Sequence, residues 1–187
     1  MATKVVTGKV RLSYAYLFEA RASQQGGDDA KYSVTLLIPK SDTVTIGKIK
    51  QAMQEARDNF CNRNGANAIP AKFNHTMHDG DGTRDSGEPY GEECKGHYVI
   101  TVSSKQKPVI VDRAGNPILD SSEVYSGCYA RASINFYGYN TNGKKGVSAG
   151  LLAVQKLADG EPFGTVGSAD DFNDGFEDEG ADDDFMA

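Results

Sequence analysis

The sequence predicts a mainly β fold: a small antiparallel barrel of five strands with one inserted amphipathic helix, followed by a disordered acidic C-terminal tail. Three observations carry this. Short segments with the period-2 alternation of half-buried strands recur between turns rich in Gly, Asn and Asp. Only one stretch has the three-and-four spacing of a helix. The charge also divides the chain: residues 1–157 hold twenty Lys and Arg against fifteen Asp and Glu, a net +5, whereas residues 158–187 hold eleven acids and no base, giving −6 for the whole. The first part is large enough to be one domain with its own core. The second is too charged to fold alone.

In the first strand, residues 8–18, Val10, Leu12, Tyr14, Tyr16 and Phe18 alternate with Lys9, Arg11, Ser13 and Ala15. Turn chemistry at 23–29 and the β-branched, apolar run 32–38 complete a hairpin closed by Pro39. Over 45–63 the apolar Ile46, Ile49, Met53, Ala56 and Phe60 recur three and four apart, with Lys48, Lys50, Gln54, Glu55 and Arg57 between them. This is the helix, capped by Thr43 or Thr45 and stopped by Asn62, Asn64 and Gly65. Residues 64–96 lack periodicity and are crowded with Gly, Asp and Asn; a loop of that length tends to be functional, and it is expected to be partly ordered beside a binding face. Strands return at 98–103 and 108–111 and, after a turn at 112–117, as a long strand over 124–139. The Asn-Gly pair within 140–145 signals a hairpin into the last strand, 146–157. Five or more strands with one helix match the oligonucleotide-binding (OB) barrel, the commonest such architecture with a nucleic-acid function.

The N-terminus has no apolar signal region, and no stretch approaches the roughly 20 apolar residues that cross a bilayer, so no membrane partner is expected. Cys61, Cys94 and Cys128 are an odd, widely spaced set, which fits a reducing compartment and a cytoplasmic protein.

The long strand separates by chemistry. Val124, Ser126, Cys128, Ala130, Ala132, Ile134 and Phe136 suit a core, while Tyr125, Tyr129, Arg131, Ser133, Asn135, Tyr137 and Tyr139 share the other face. Four tyrosines beside an arginine suit a groove for unpaired bases, although the same rings would serve under the long loop or in a homo-oligomer contact. Lys9 and Arg11 on the first strand, with Lys105 and Lys107 after the third, add dispersed cations for a phosphate backbone and shift the balance toward nucleic acid. The candidate nucleic-acid-binding residues are therefore Lys9, Arg11, Lys105, Lys107, Tyr125, Tyr129, Arg131, Asn135, Tyr137 and Tyr139. A basic body invites a polyanion, and a tethered acidic tail competes for the same surface.

His75 and His78, with Cys94 and His97, form two pairs at a spacing open to tetrahedral zinc, but the residues between them are acidic and flexible, and unligated loop side chains are the expectation. Asp79, Asp81, Thr83 and Asp85 begin like a calcium loop, yet Arg84 stands where Gly is needed and Tyr90 where Glu is needed. No cofactor is expected. Without a phosphate loop, a dinucleotide fingerprint or a Gly-x-Ser-x-Gly elbow, no enzyme is expected either. In the tail, Phe172, Phe176 and Phe185 punctuate the acids, a pattern that docks into basic, apolar-floored pockets of partners.

Taken in order, Gly8-Lys-Val-Arg-Leu-Ser-Tyr14, Leu37-Ile-Pro-Lys40, Asp79-Gly-Asp81, Tyr125-Ser-Gly-Cys128, Ala132-Ser-Ile-Asn-Phe136 and Gly150-Leu-Leu-Ala-Val-Gln-Lys156 resemble a family of tailed-bacteriophage single-stranded DNA-binding proteins. The resemblance implies an OB fold, sequence-tolerant binding of single-stranded DNA, no catalytic residues, and a place in phage replication or recombination in the host cytoplasm. The tip, with Asp182, Asp183, Asp184 and Phe185, is similar to the acidic tips by which such proteins recruit replication and repair enzymes, except that Met186 and Ala187 follow the phenylalanine. The alternative is a protein-interaction module whose tail mimics nucleic acid and whose tyrosine face is an oligomer contact. A zinc-dependent nucleic-acid enzyme built on the histidine loop is a weaker third.

Overall fold

The computed structural model describes residues 3–21, 30–84, 86–141 and 143–163. Its elements, in order, are β1 (Lys4–Val6), β2 (Val10–Arg21), β3 (Lys31–Pro39), α1 (Thr43–Asn64), β4 (Met77–Asp79), β5 (His97–Ser104), β6 (Val109–Val111), β7 (Tyr129–Thr141) and β8 (Lys144–Ala158). Five of them close a ring: β2 pairs with β3, β3 with β5, β5 with β8, β8 with β7, and β7 with β2. Four seams are antiparallel and the β5–β8 seam is parallel. Ring closure satisfies strand edges that would otherwise pair with other chains. The order first, second, third, fifth, fourth is that of a Greek-key OB barrel. Short β1 and β6 extend it beside β7 and β8, and β4 pairs with β5.

Alternate residues of the ring meet inside: Leu12, Leu36, Ile100, Ile134, Phe136 and Leu151 are all buried in one core. The helix joins that core through Ile46, Ile49, Ala52, Met53 and Ala56. Its cap is Asp42, one residue before Thr43 and three before Thr45, because the Asp42 carboxylate accepts from Thr45 N at 3.1 Å and from Thr45 Oγ1 at 2.7 Å. Thr45 Oγ1 in turn accepts from Gly8 N at 3.0 Å, tying the helix start to the bend between β1 and β2. No helix among the described residues is long and apolar enough to cross a membrane.

Two departures from simple alternation shape the outer surface. In β2 the pairing with β3 shifts register between Ser13 and Tyr16, and Tyr14 takes a left-handed φ of 47°. The bulge turns Tyr14 outward, 55% exposed, and buries Leu17 in its stead. In the long strand, regular pairing begins only at Tyr129; a short 3-10 turn, Ser121–Glu123, and a turn through Gly127 at φ 116° precede it. Tyr125 therefore sits in a turn, off the strand. Within 64–96 the chain is partly ordered, by β4 and by a 3-10 turn at Glu92–Cys94.

Candidate nucleic-acid interface

Cross-strand register lays two rows on the outside of the barrel. Tyr129, Arg11, Leu37 and Val99 are successive partners on β7, β2, β3 and β5, and Ser13, Thr35 and Thr101 make the next row. Lys9 Nζ lies 4.6 Å from the Tyr129 ring centroid and Arg11 Cζ 5.5 Å from it. Arg11 Cζ is also 4.2 Å from the centroid of Phe163. The guanidinium is fixed in place, since Nε donates to Gly127 O at 3.0 Å and Nη2 to Glu161 O at 2.6 Å. Lys9 is exposed, and its contact among the described residues is the one with the Tyr129 ring.

Residues 159–163 form a strap that returns from β8 across this surface. The Tyr125 hydroxyl shares its proton between Gly160 O at 3.0 Å and Asp159 Oδ1 at 3.2 Å, and accepts from Gly160 N at 3.1 Å. Phe163 N donates to Ser126 O at 3.2 Å. Lys156 Nζ reaches Asp159 Oδ1 at 2.7 Å, and this bond, followed by that from Tyr125, holds the Asp159 carboxyl below its ordinary range. Gly127 is required here: its φ is left-handed, and a Cβ would collide with the Glu161 carbonyl.

The Phe163 ring packs with Tyr90 on Leu37, Cys94 and Val99. Arg84 Cζ lies 5.1 Å from the Tyr90 centroid, so a second cation–aromatic pair roofs the face. Between roof and sheet is a cavity of about 260 Å³ reached by Ser13, Tyr14, Thr35, Arg84, Tyr90 and Thr101, with Glu93 as its one acidic neighbour. The roof is anchored by Lys40, whose Nζ contacts Asp79 Oδ1 at 2.7 Å and Asp81 Oδ2 at 2.6 Å. Those bonds raise the Lys40 ammonium and lower both carboxyls from their ordinary values. Gly80, between the two acids, passes so close to the Cys94 and His97 carbonyls that no side chain fits.

Residues 3–186 match the family model described as Enterobacter phage Enc34, ssDNA-binding protein. The chain belongs to this family. A curated relative, protein p50 of Acyrthosiphon pisum secondary endosymbiont phage 1, is 34% identical over 188 residues, covering 91% of this chain and 93% of the relative. Among solved structures, the single-stranded DNA-binding protein of bacteriophage Enc34 in complex with ssDNA superposes with a TM-score of 0.74 at 28% identity, over 87% of this chain and 90% of that one. The single-stranded DNA-binding protein gp2.5 of bacteriophage T7 shares the fold, with a TM-score of 0.59 at 18% identity over 95% and 96% of the two chains.

On this Enc34-type fold the residues singled out from the sequence fall in three places. Lys9, Arg11 and Tyr129 meet on the face just described, with Tyr125 under the strap. Arg131, Asn135, Tyr137 and Tyr139 continue along β7; Arg131 Nε donates to Thr7 O at 2.8 Å, and Asn135 Oδ1 accepts from Thr3 Oγ1 at 2.9 Å. Tyr137, 46% exposed, joins Phe60, Arg63 and Asn135 around a cleft of about 350 Å³ by the end of α1. Lys105 and Lys107 lie in the turn after β5, where Lys107 Nζ is 5.5 Å from the Phe18 centroid. Asp182, Asp183, Asp184 and Phe185, like Phe172 and Phe176, lie outside the described residues.

Alternation puts Tyr14 on the same side as Val10 and Leu12, whereas the structure exposes it, and Arg84, Tyr90 and Phe163 lie in stretches without periodicity. The His75 and His78 rings lie 6.3 Å apart, whereas Cys94 is buried in the apolar cluster under Phe163 and His97 Nδ1 pairs with Lys95 O at 2.7 Å. Among the described residues, no three His, Cys, Asp or Glu side chains converge as a metal site.

Proposed function

We propose that the protein binds single-stranded DNA without sequence preference, with bases against the outer face of β2, β3, β5 and β7. The observation that carries this is the row in which Lys9, Tyr129 and Arg11 are stacked together, continued by Tyr14, Arg84 and Tyr90 around the adjoining cavity. Family membership supports it, as does the likeness to an Enc34 protein solved with single-stranded DNA. Unpaired bases offer flat faces to such rings, each stack contributing about 1–3 kcal/mol, while cations follow the phosphates. Lys9, exposed and without an ion pair among the described residues, swings from the Tyr129 ring to a phosphate as a base takes its place. Arg131, Tyr137, Tyr139, Lys105 and Lys107 lengthen the path in either direction.

Residues 1–157 form the binding domain in this reading, and 158–187 the tail. The tail competes with DNA: its root already covers Arg11 through Glu161 and Phe163. Beyond the root, Asp182, Asp183, Asp184 and Phe185 recruit replication or recombination proteins in the infected cell. The test is fluorescence anisotropy with single-stranded and duplex oligonucleotides of one length. Preference for single strands, weakened by Tyr129→Ala with Tyr137→Ala, is expected. Unchanged affinity of that variant would sink the stacking assignment. A chain truncated after Gly167 that bound no more tightly than full length at low salt would sink the gating one.

A further inference from the structure

A second cleft lies where β1 and α1 flank β7, about 450 Å³ in volume and lined by Lys4, Val5, Val6, Lys48, Gln51 and Arg131. Three cations from three separate elements converge there, and no carboxylate lines the cleft. Among the described residues none of the three makes an ion pair, and Arg131 commits only its Nε, to Thr7 O, leaving the terminal nitrogens of its fork unbonded. The acids nearest Lys48 and Gln51 along α1 and its cap do not neutralise the group: the cap residue Asp42 is committed to Thr45, and Glu55 lies one turn beyond Gln51. Assembling like charge without counter-charge disfavours the fold unless an anion is bound.

The cleft is also continuous with the stacking face. Arg131 follows Tyr129 by two residues on the same side of β7, a step of about 6.7 Å. No aromatic ring lines the cleft, so it suits phosphodiester groups and not bases.

We infer that this cleft is a phosphate-binding subsite that carries the single-stranded DNA backbone from Tyr129 over Arg131 to Lys4 and Lys48, bringing α1 into the interface. The inference rests on the DNA-binding reading above. It assigns to Lys4 and Lys48 a role in affinity and salt dependence with none in base contact.

The test measures binding of a long oligothymidylate to the full chain across a salt series. For single strands the slope of log K against log salt changes by about 0.7 per phosphate contact. Lys4→Ala with Lys48→Ala should therefore flatten the slope by about 1.4, and Lys4→Arg with Lys48→Arg should keep it. Lys72→Ala with Arg113→Ala removes equal charge from exposed positions outside the cleft and should leave the slope near that of the wild type. Tyr129→Ala should weaken binding at an unchanged slope. A wild-type slope in the Lys4/Lys48 alanine variant, or equal flattening in the control pair, overturns the subsite while wild-type binding upholds the parent reading. Absence of single-strand binding by the wild type overturns both.

Discussion

Replacing Phe163 by Ala should strengthen binding of single-stranded DNA. The ring lies 4.2 Å from the Arg11 guanidinium and packs on the cluster formed by Leu37, Cys94 and Val99. A partly desolvated cation–aromatic contact contributes about 0.5–2 kcal/mol. If the strap must lift before a base reaches Arg11 and Tyr129, that energy is subtracted from the observed binding free energy, and removing it should tighten binding between about twofold and thirtyfold. The bonds from Arg11 to Glu161 O and from Phe163 N to Ser126 O persist in the variant, so the gain stays below that of deleting the strap. Anisotropy titration at low salt measures the change, with the melting temperature as a folding control. The truncation after Gly167 separates the strap from the acids beyond it: the Phe163→Ala gain should appear in the truncated chain as well. A loss of affinity in a folded Phe163→Ala chain would refute the reasoning, for it would make Phe163 a stacking platform for DNA instead of its competitor.

Gly80→Ala forces a methyl into the Cys94 and His97 carbonyls, and denaturant unfolding should show a loss of about 1–3 kcal/mol. The Lys40 clamp should give an acid limb to stability. Because the Asp79 and Asp81 carboxyls are held below their ordinary 3.8, the unfolded chain binds more protons near that pH. Their contribution is thus complete above about 3.8 and is lost as pH falls through the lowered values; Lys40→Ala should flatten this limb in melting temperature against pH, and an unchanged limb would refute it. Cys61, Cys94 and Cys128 are buried, and burial pushes the Cys94 and Cys128 thiols up, so a disulfide reagent should react slowly with the native chain and rapidly in denaturant. A fast native thiol would contradict the packing of the Phe163 cluster or of the core.

The barrel was legible because its strands obey alternation wherever one face meets the core. Val10 and Leu12, Leu36 and Ile38, Ala130, Ala132, Ile134 and Phe136 are all buried as their period requires. Alternation failed where a distant contact intervened. Tyr14, Tyr16 and Phe18 continue the pattern on paper, yet Ala15 N donates to Ser126 Oγ at 3.2 Å, 111 residues away, and the strand bulges there. The motif Asp79-Gly-Asp81 opens like a calcium loop that fails at Arg84 and Tyr90. Its carboxylates in fact close on Lys40, and the narrow passage at Gly80 depends on β5, which no local spacing encodes.

The site was half legible for a geometric reason. Period-2 reasoning sees a column of side chains along one strand, and the column on β7 from Tyr129 to Tyr137 is about 27 Å long. The cluster of rings and cations instead follows a row across β7, β2, β3 and β5, about 14 Å wide, to which each strand contributes a single residue. One tyrosine in a strand has no pattern of its own, and Arg11 and Tyr129 become neighbours only when the ring closes between β2 and β7. The residues that follow β8, Asp159 to Phe163, lie against Tyr125, Arg11 and the apolar cluster under Tyr90. Composition shows the charge split because a net charge needs no partner in space, whereas the row of contacts depends on closure of the barrel.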